Sequence, residues 1–477
     1  MKHSFTFTIR LAAMALIATL AAAHATALTL PQQIGDNMVL QQDIEAWLWG
    51  WATPGSTVKI TPSWANKATI KATADKNGRW KALVATPKGS YTPQTITFEG
   101  DKQRIAASNV LIGEVWIASG QSNMEMPVGG FGGQPIDNNQ QTIAYANQYR
   151  GKLRMVNIPH VAADTPRDTV GGSWQECTPA TVASWSACAY YFAESLNRIL
   201  DVPVGIIHSS WGGSLLEEWM PDESIKQFND IKFETIAQLS RKPSQDYNGM
   251  ICPLLNYTIR GFIWNQGESQ VFIGDYSHAK HFASFLQAWR KAFNQGDLPM
   301  YCVEIPGYNY GDVNGTMASI VRESQWQGAD MAGNCYVIST SDLIKPGMEH
   351  IIHGSIKQPI GERLAFMAAA KTYGLPNMAC EYPRFKSMEV HGKQATLTFT
   401  GIGAGWAAHH NLQGFEAAGE DKRFYPATAQ ADMGTSNITV TCEHLDKISA
   451  VRYCFKNWAI GTVHTCQWLP LVPFRTD

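Results

Sequence analysis

The chain has 477 residues, 45% hydrophobic and 16% charged, with 38 Lys and Arg against 40 Asp and Glu. That length supports large packed cores and more than one domain. The near balance of charge, without a basic run or stripe, excludes nucleic acid as the expected partner. The 16 Trp, 16 Tyr and 40 Gly suit a β-rich or α/β protein with a carbohydrate-facing surface.

The first residues read as a secretory signal. Lys2 and Arg10 form a positive start, Leu11 to Ala23 is apolar and Ala-rich, and Ala23-His24-Ala25 and Ala25-Thr26-Ala27 both offer small-x-small cleavage sites. The apolar run is shorter than the ~20 residues that span a bilayer. Residues 1–27 are therefore expected to be a cleaved signal peptide, and the protein to be exported, periplasmic or secreted. No later stretch is apolar enough to span a membrane. Removing Lys2 and Arg10 leaves 36 cations against 40 acids, a net charge near −4. An exported chain with nine Cys permits disulfides, and Cys177/Cys188 and Cys454/Cys466 are close enough for local bridges. No Cys or His cluster has metal spacing, so neither a metal nor a cofactor is expected.

Residues 28–105 read as an all-β domain. Short β-branched or aromatic runs (Ala46–Trp51, Val58–Ile60, Ala68–Thr73, Thr95–Phe98) alternate with turn signals such as Pro54-Gly55 and Asn77-Gly78. Residues 106–378 alternate strand-length apolar runs with helical periodicity. The runs are Glu114–Ser119, Val204–His208, Gly261–Trp264, Met300–Ile305 and Cys335–Ser339. Helices are expected over Ala187–Leu200 and around Phe282, Phe285, Leu286, Trp289 and Phe293. Runs buried on both faces and alternating with helices predict an α/β fold with a parallel sheet. Residues 379–477 return to strand patterns at Ala395–Phe399, Asn437–Thr441 and Ala450–Phe455.

In such a sheet, functional groups gather at the carboxyl ends of the strands. The first run is followed by Gly120-Gln121-Ser122-Asn123-Met124 and the second by Ser209-Ser210-Trp211-Gly212-Gly213-Ser214. The third is followed by Asn265-Gln266-Gly267-Glu268-Ser269, and the last by Asp342, His350 and His353. Serine, glycines, amides and histidines at four strand ends are the parts of an acyl-transfer site. A serine hydroxyl needs an adjacent base to attack, and the tetrahedral oxyanion needs donors fixed in advance.

These segments, with Ile352-His353-Gly354-Ser355-Ile356-Lys357-Gln358-Pro359-Ile360-Gly361-Glu362-Arg363-Leu364-Ala365, resemble the sialate O-acetylesterase family of SGNH hydrolases. The resemblance extends to Asp36-Asn37-Met38-Val39-Leu40-Gln41 and to Pro473-Phe474-Arg475-Thr476-Asp477. It implies an SGNH-like parallel sheet flanked by helices and hydrolysis of acetyl esters on an O-acetylated sugar or sialoglycan, sialate 9-O-acetyl groups above all. It implies Ser122 as nucleophile and His353 as general base. Oxyanion donors would come from the Ser122 and Gly213 backbones and the Gln266 side chain. Glu268 would line the site, and Arg322 and Gln325 would support it. The chain departs from the family where an Asp precedes the His by two or three residues, because Ile351 and His350 stand there. Glu349 is then the expected partner of His353, with Asp342, His350 or no third group as alternatives. Two other functions fit the same residues. One is an esterase for acetylxylan or another glycan. The other is a non-catalytic glycan-binding protein with a decayed site.

Overall fold

The computed structural model describes residues 27–66, 68–274, 277–408 and 411–477. The expected signal peptide lies outside these residues except for Ala27. Thirteen strands carry the first two thirds of the described chain. They are β1 (Val39–Gln41), β2 (Glu45–Trp51), β3 (Thr57–Pro62), β4 (Ile70–Thr73), β5 (Arg79–Ala85), β6 (Ser90–Gly100), β7 (Gln103–Gly120), β8 (Leu153–Asn157), β9 (Gln175–Glu176), β10 (Val204–Ser210), β11 (Gly261–Asn265), β12 (Met300–Val303) and β13 (Cys335–Ile338).

The central sheet runs β13-β12-β11-β7-β10-β8-β9. All neighbours are parallel except the short edge strand β9. The α/β architecture with a parallel sheet is therefore the one the sequence predicts. Strand β7 explains how the first β region is attached. Its first half alternates exposed and buried residues and pairs antiparallel with β6, while from Val110 onward it is buried on both faces. The same strand then serves as the centre of the parallel sheet, between β10 and β11. The expected boundary at 105/106 thus falls inside one continuous strand. A single apolar core runs through both regions, from Ile60 and Phe98 to Trp116, Phe262 and Leu364.

Helices α1 (Ala187–Leu200), α2 (Glu268–Ile273), α3 (His278–Phe293), α4 (Met317–Ala332) and α5 (Gln358–Lys371) flank the sheet. Helix α1 starts where Ser186 Oγ accepts the Ala189 N–H at 3.1 Å, and that hydroxyl donates to the Met124 carbonyl at 2.6 Å. Helix α5 lies directly on α1. A Cβ on Gly361 would sit 2.5 Å from the Tyr191 Cβ and 2.6 Å from the Phe192 backbone nitrogen. Only glycine permits that approach, which fixes where the chain just before α5 must lie. In α3, Phe282, Phe285, Leu286, Trp289 and Phe293 are all buried, as their spacing predicts.

The last hundred residues form two four-stranded antiparallel sheets. They enclose a separate core of Leu397, Phe399, Trp406, Ile438, Val451 and Phe474. Arg322 of α4 fastens this region to the parallel-sheet region. Its buried guanidinium donates to the carbonyls of Ile305 and Pro306 on one side and of Lys456 and Asn457 on the other. The local disulfides expected at Cys177/Cys188 and Cys454/Cys466 are not formed, and all nine cysteines are free. Cys466 Sγ is instead within 3.3 Å of the Trp406 carbonyl. No helix among the described residues is long and apolar enough to cross a membrane.

Candidate active site

Three central strands end at one level. Ser210 of β10 and Asn265 of β11 both stand opposite Gly120 of β7. Gly120 has φ +136°, and a Cβ there would lie 2.1 Å from the Asn265 carbonyl oxygen. The chain turns sharply, the Gln121 N–H donates to that same oxygen at 2.9 Å, and a single helical turn, Ser122–Glu125, follows.

Each neighbour of Ser122 fastens this turn to another strand-end loop. Gln121 Oε1 accepts the Gly267 and Ser269 N–H groups at 3.1 and 3.4 Å. Glu125 Oε2 accepts the Gly212 N–H at 2.5 Å. Asn123 Nδ2 donates to Glu268 Oε1 at 2.5 Å and to the Ile352 carbonyl at 3.1 Å, and its Oδ1 accepts from Lys357 Nζ at 2.5 Å. Glu268 and Lys357 are both buried. Burial raises the Glu268 carboxyl above its usual range, and burial pulls Lys357 down to about 8. The Asn123 amide thus bridges a buried acid and a buried cation, which removes the penalty either would bear alone. Its bond to Ile352 brings the His353 segment against the Ser122 turn.

His353 is half-buried. Its Nδ1–H donates to Gln134 Oε1 at 2.5 Å, and its ring meets Phe131 edge to face at 5.1 Å. Burial, reinforced by the Lys357 cation, lowers its pKa to about 4. The imidazole is therefore neutral at pH 7. With the proton on Nδ1, Nε2 has a free lone pair, which is the tautomer a general base requires. The segment is held from outside by Lys345, whose ammonium meets Asp137 at 2.6 and 2.7 Å and Ser355 Oγ at 3.1 Å.

The residues predicted from sequence separate into two groups. Ser122, Gly213, His353 and Glu268 belong to the loops gathered here. The backbone N–H groups of Ser122 and Gly213 have no protein acceptor among the described residues, so both remain available to an oxyanion. Gly213 has φ +73° and borders open space, and Gly212 packs against the Ser122 side chain. Glu268 supports the site from beneath through Asn123.

The other group is corrected. Gln266 spends both amide hydrogens on the Ser214 carbonyl at 3.1 Å and on Gln270 Oε1 at 2.7 Å, so it has no donor for an oxyanion. Glu349 does not reach His353. It sits at the surface and accepts the Gly347 N–H of its own turn at 3.1 Å. Asp342 is committed to Arg363, with bonds of 2.6 and 2.8 Å that lower its pKa to about 2, and His350 is exposed. Gln325 does support the site, since its amide donates to the Gln266 carbonyl at 2.9 Å. Trp219 is fully buried, and its indole N–H donates to Ser214 Oγ at 2.9 Å.

Several groups had no sequence signal. Gln134 follows a glycine-rich loop and reaches His353 across 219 positions. On the other rim, Trp211 lies between His160, stacked at 4.4 Å and 5°, and the Arg241 guanidinium at 3.9 Å. His160 Nε2 is 3.1 Å from Glu125 Oε1. Arg241 is held by the buried carboxyls of Asp246 and Glu218. Burial, with the Asp246 carboxylate beside it, pushes the Glu218 carboxyl above its usual range.

Comparison with known proteins gives a consistent picture. Residues 112–370 match the family model described as carbohydrate esterase, sialic acid-specific acetylesterase. The human sialate O-acetylesterase is 25% identical over 92% of this chain and 91% of its own length. The Rattus norvegicus sialate O-acetylesterase is 24% identical over 92% and 93%. The crystal structure of a carbohydrate acetylesterase from Xanthomonas citri superposes with a TM-score of 0.84 at 30% identity, covering 94% of this chain and all of that one. The matched segment spans more than half of the chain and contains every loop of the site, and the chain belongs to the sialic acid-specific acetylesterase family of carbohydrate esterases.

Proposed function

We propose that this esterase removes O-acetyl groups from sialic acids, with Ser122 as nucleophile and His353 as general base. The observation that carries the reading is the convergence of a serine turn, two unspent backbone N–H groups and a neutral, Nδ1-protonated imidazole at the ends of parallel strands. Ser122 Oγ attacks the acetyl carbonyl carbon while His353 Nε2 takes its proton. The oxyanion is met by the Ser122 and Gly213 N–H groups. Collapse breaks the ester C–O bond, and the sugar oxygen leaves with the proton from His353. Water then attacks the acetyl-serine, giving a proton to His353; collapse breaks the bond to Ser122 Oγ, which takes that proton from His353, and acetate departs. The residues involved need no metal or cofactor. Sialic acid as the substrate is supported by what the mammalian relatives are called, and export by the amino-terminal sequence.

The test is acetate release from O-acetylated sialic acids and from acetylated xylan, with wild type and Ser122→Ala. Turnover of the sialic acids, lost in the alanine variant, is the expected result. Equal activity of the variant would remove Ser122 from the mechanism. Turnover of the xylan alone would reassign the substrate to a neutral glycan.

A further inference from the structure

Asn457 lies in the C-terminal β region, yet its polar atoms serve the parallel-sheet region. It is only 3% exposed. Its N–H donates to the Gly315 carbonyl at 2.6 Å, and its carbonyl accepts from the Tyr308 N–H at 3.1 Å and from Arg322 Nη2 at 3.0 Å. Its side-chain Oδ1 accepts the Ala318 N–H at 3.0 Å, and its Nδ2 donates to Asp312 Oδ1. Asp312 Oδ2 in turn accepts the Thr316 N–H at 3.0 Å. One residue from the second core thus fastens both halves of the connection between β12 and α4, residues 304–316. That connection contains no helix or strand. A stretch of that length depends on such bonds to keep one shape.

The same connection touches the segment that carries His353. The Asn309 N–H donates to the Glu349 carbonyl at 2.7 Å, four residues before His353. Trp458, next to Asn457, packs over Gly307, where a Cβ would meet Trp458 Cδ1 at 3.1 Å and Ile344 Cγ2 at 3.3 Å. Trp458 also lines a small cavity with Ile351, Gly354 and Ile356, on either side of His353 in the chain. At the start of the segment, His464 Nε2 of the C-terminal region lies 3.3 Å from Asp342 Oδ2. Position matters here, because a catalytic group misplaced by about 1 Å can cost on the order of 10²-fold in rate.

We propose that Asn457 is a positioning residue for the general base. It sets the shape of the β12–α4 connection, and that connection holds the His353 segment against the Ser122 turn. The C-terminal β region is then part of the catalytic apparatus rather than an appended module. The proposal rests on the esterase reading, in which His353 is the base.

The test reverses one hydrogen bond. Asn457→Asp sets a carboxylate against the Asp312 carboxylate. Asp312→Asn leaves one oxygen to serve two donors, the Asn457 amide and the Thr316 N–H. In the double variant Asn457→Asp/Asp312→Asn the side-chain bond runs the other way, the net charge is unchanged, and the Ala318 and Thr316 N–H groups keep their acceptors. Hydrolysis of p-nitrophenyl acetate by the full-length protein gives kcat, KM and the acid limb of kcat/KM, and a melting temperature is taken for each variant. Asn457→Asp is expected to lower kcat ten- to a hundredfold, with KM within about twofold. Its acid limb should move up from near 4 toward 6.5 as the imidazole loses burial. The double variant should return kcat to within about threefold of wild type and the limb to its place. Asp312→Asn, at the half-buried end of the bond, should lower kcat about fivefold and carries the test if Asn457→Asp does not fold. A lower melting temperature with kcat and the acid limb unchanged would overturn the proposal, since the role would then be structural alone. So would a double variant that regains the melting temperature and not kcat. Failure of the esterase reading would show instead in the wild type, as no ester hydrolysis, or in Ser122→Ala, as undiminished hydrolysis.

Discussion

The two halves of the catalytic pair are held in different ways. Ser122 stands at the end of β7, the central strand of the sheet, and its neighbours Gln121, Asn123 and Glu125 tie the turn to three other loops. His353 stands on an irregular segment between β13 and α5, and its ring is oriented by one neutral amide and one aromatic edge. A carboxylate on Nδ1 would stabilise the imidazolium that forms as the proton moves. An amide carbonyl orients the ring and selects the tautomer but adds no charge. The nucleophile is thus fixed by the fold's strongest elements, while the base has the correct tautomer without an anion.

Expected effects follow that contrast in order of size. Ser122→Ala should lower kcat by ~10⁴ or more with little change in melting temperature, because the side chain has no part in the hydrogen bonds that hold the turn. Asn123→Ala should destabilise the protein by ~3–5 kcal/mol in denaturant unfolding, because it strips both Glu268 and Lys357 of their shared partner. If stability were unchanged, the bridging role of Asn123 would be wrong. Gln134→Ala should lower kcat by about tenfold, the worth of one orienting hydrogen bond, and leave KM in place. Gln134→Glu should do the reverse. An anion on Nδ1 raises the His353 pKa, so the acid limb of kcat/KM should move to higher pH and kcat should rise.

The pH profile of the wild type is a separate check. A His353 pKa of about 4, against 6.5 for the free side chain, keeps the basic form down to about pH 4. The acid limb of kcat/KM should therefore lie near 4. A limb near 6.5 would show that burial and the Lys357 cation do not depress the imidazole. Stability changes in the same direction but over a higher window. Between pH 6.5 and 4 the unfolded chain takes up a proton that the folded His353 refuses, so stability falls as pH falls through that window. The smallest effect is expected from Glu349→Gln, which should change kcat less than about twofold because the carboxylate only closes its own surface turn.

Much of this was legible in the chain itself. The helix over Ala187–Leu200, the buried strand runs and the loops that follow them are local features. They depend on apolar periodicity and turn residues within a few positions of each other. Ser122, Gly213 and His353 could be read for the same reason, since each occupies a strand-end motif. The errors share a cause as well. Glu349 was expected on the histidine because it is close in sequence, yet Gln134 takes that place from 219 residues away. Gln266 was expected as a donor, but Ser214 and Gln270 consume its hydrogens.

The sequence by itself therefore determined which loops carry the chemistry and which residue types they offer, because periodicity and motif are properties of short segments. Only the tertiary structure decided what each polar group bonds to. A buried amide, acid or ammonium must be satisfied by whichever partner the packed core brings within reach, and that choice is made between segments far apart in the chain. It set the amide on His353 and the Asn123 bridge beneath Ser122.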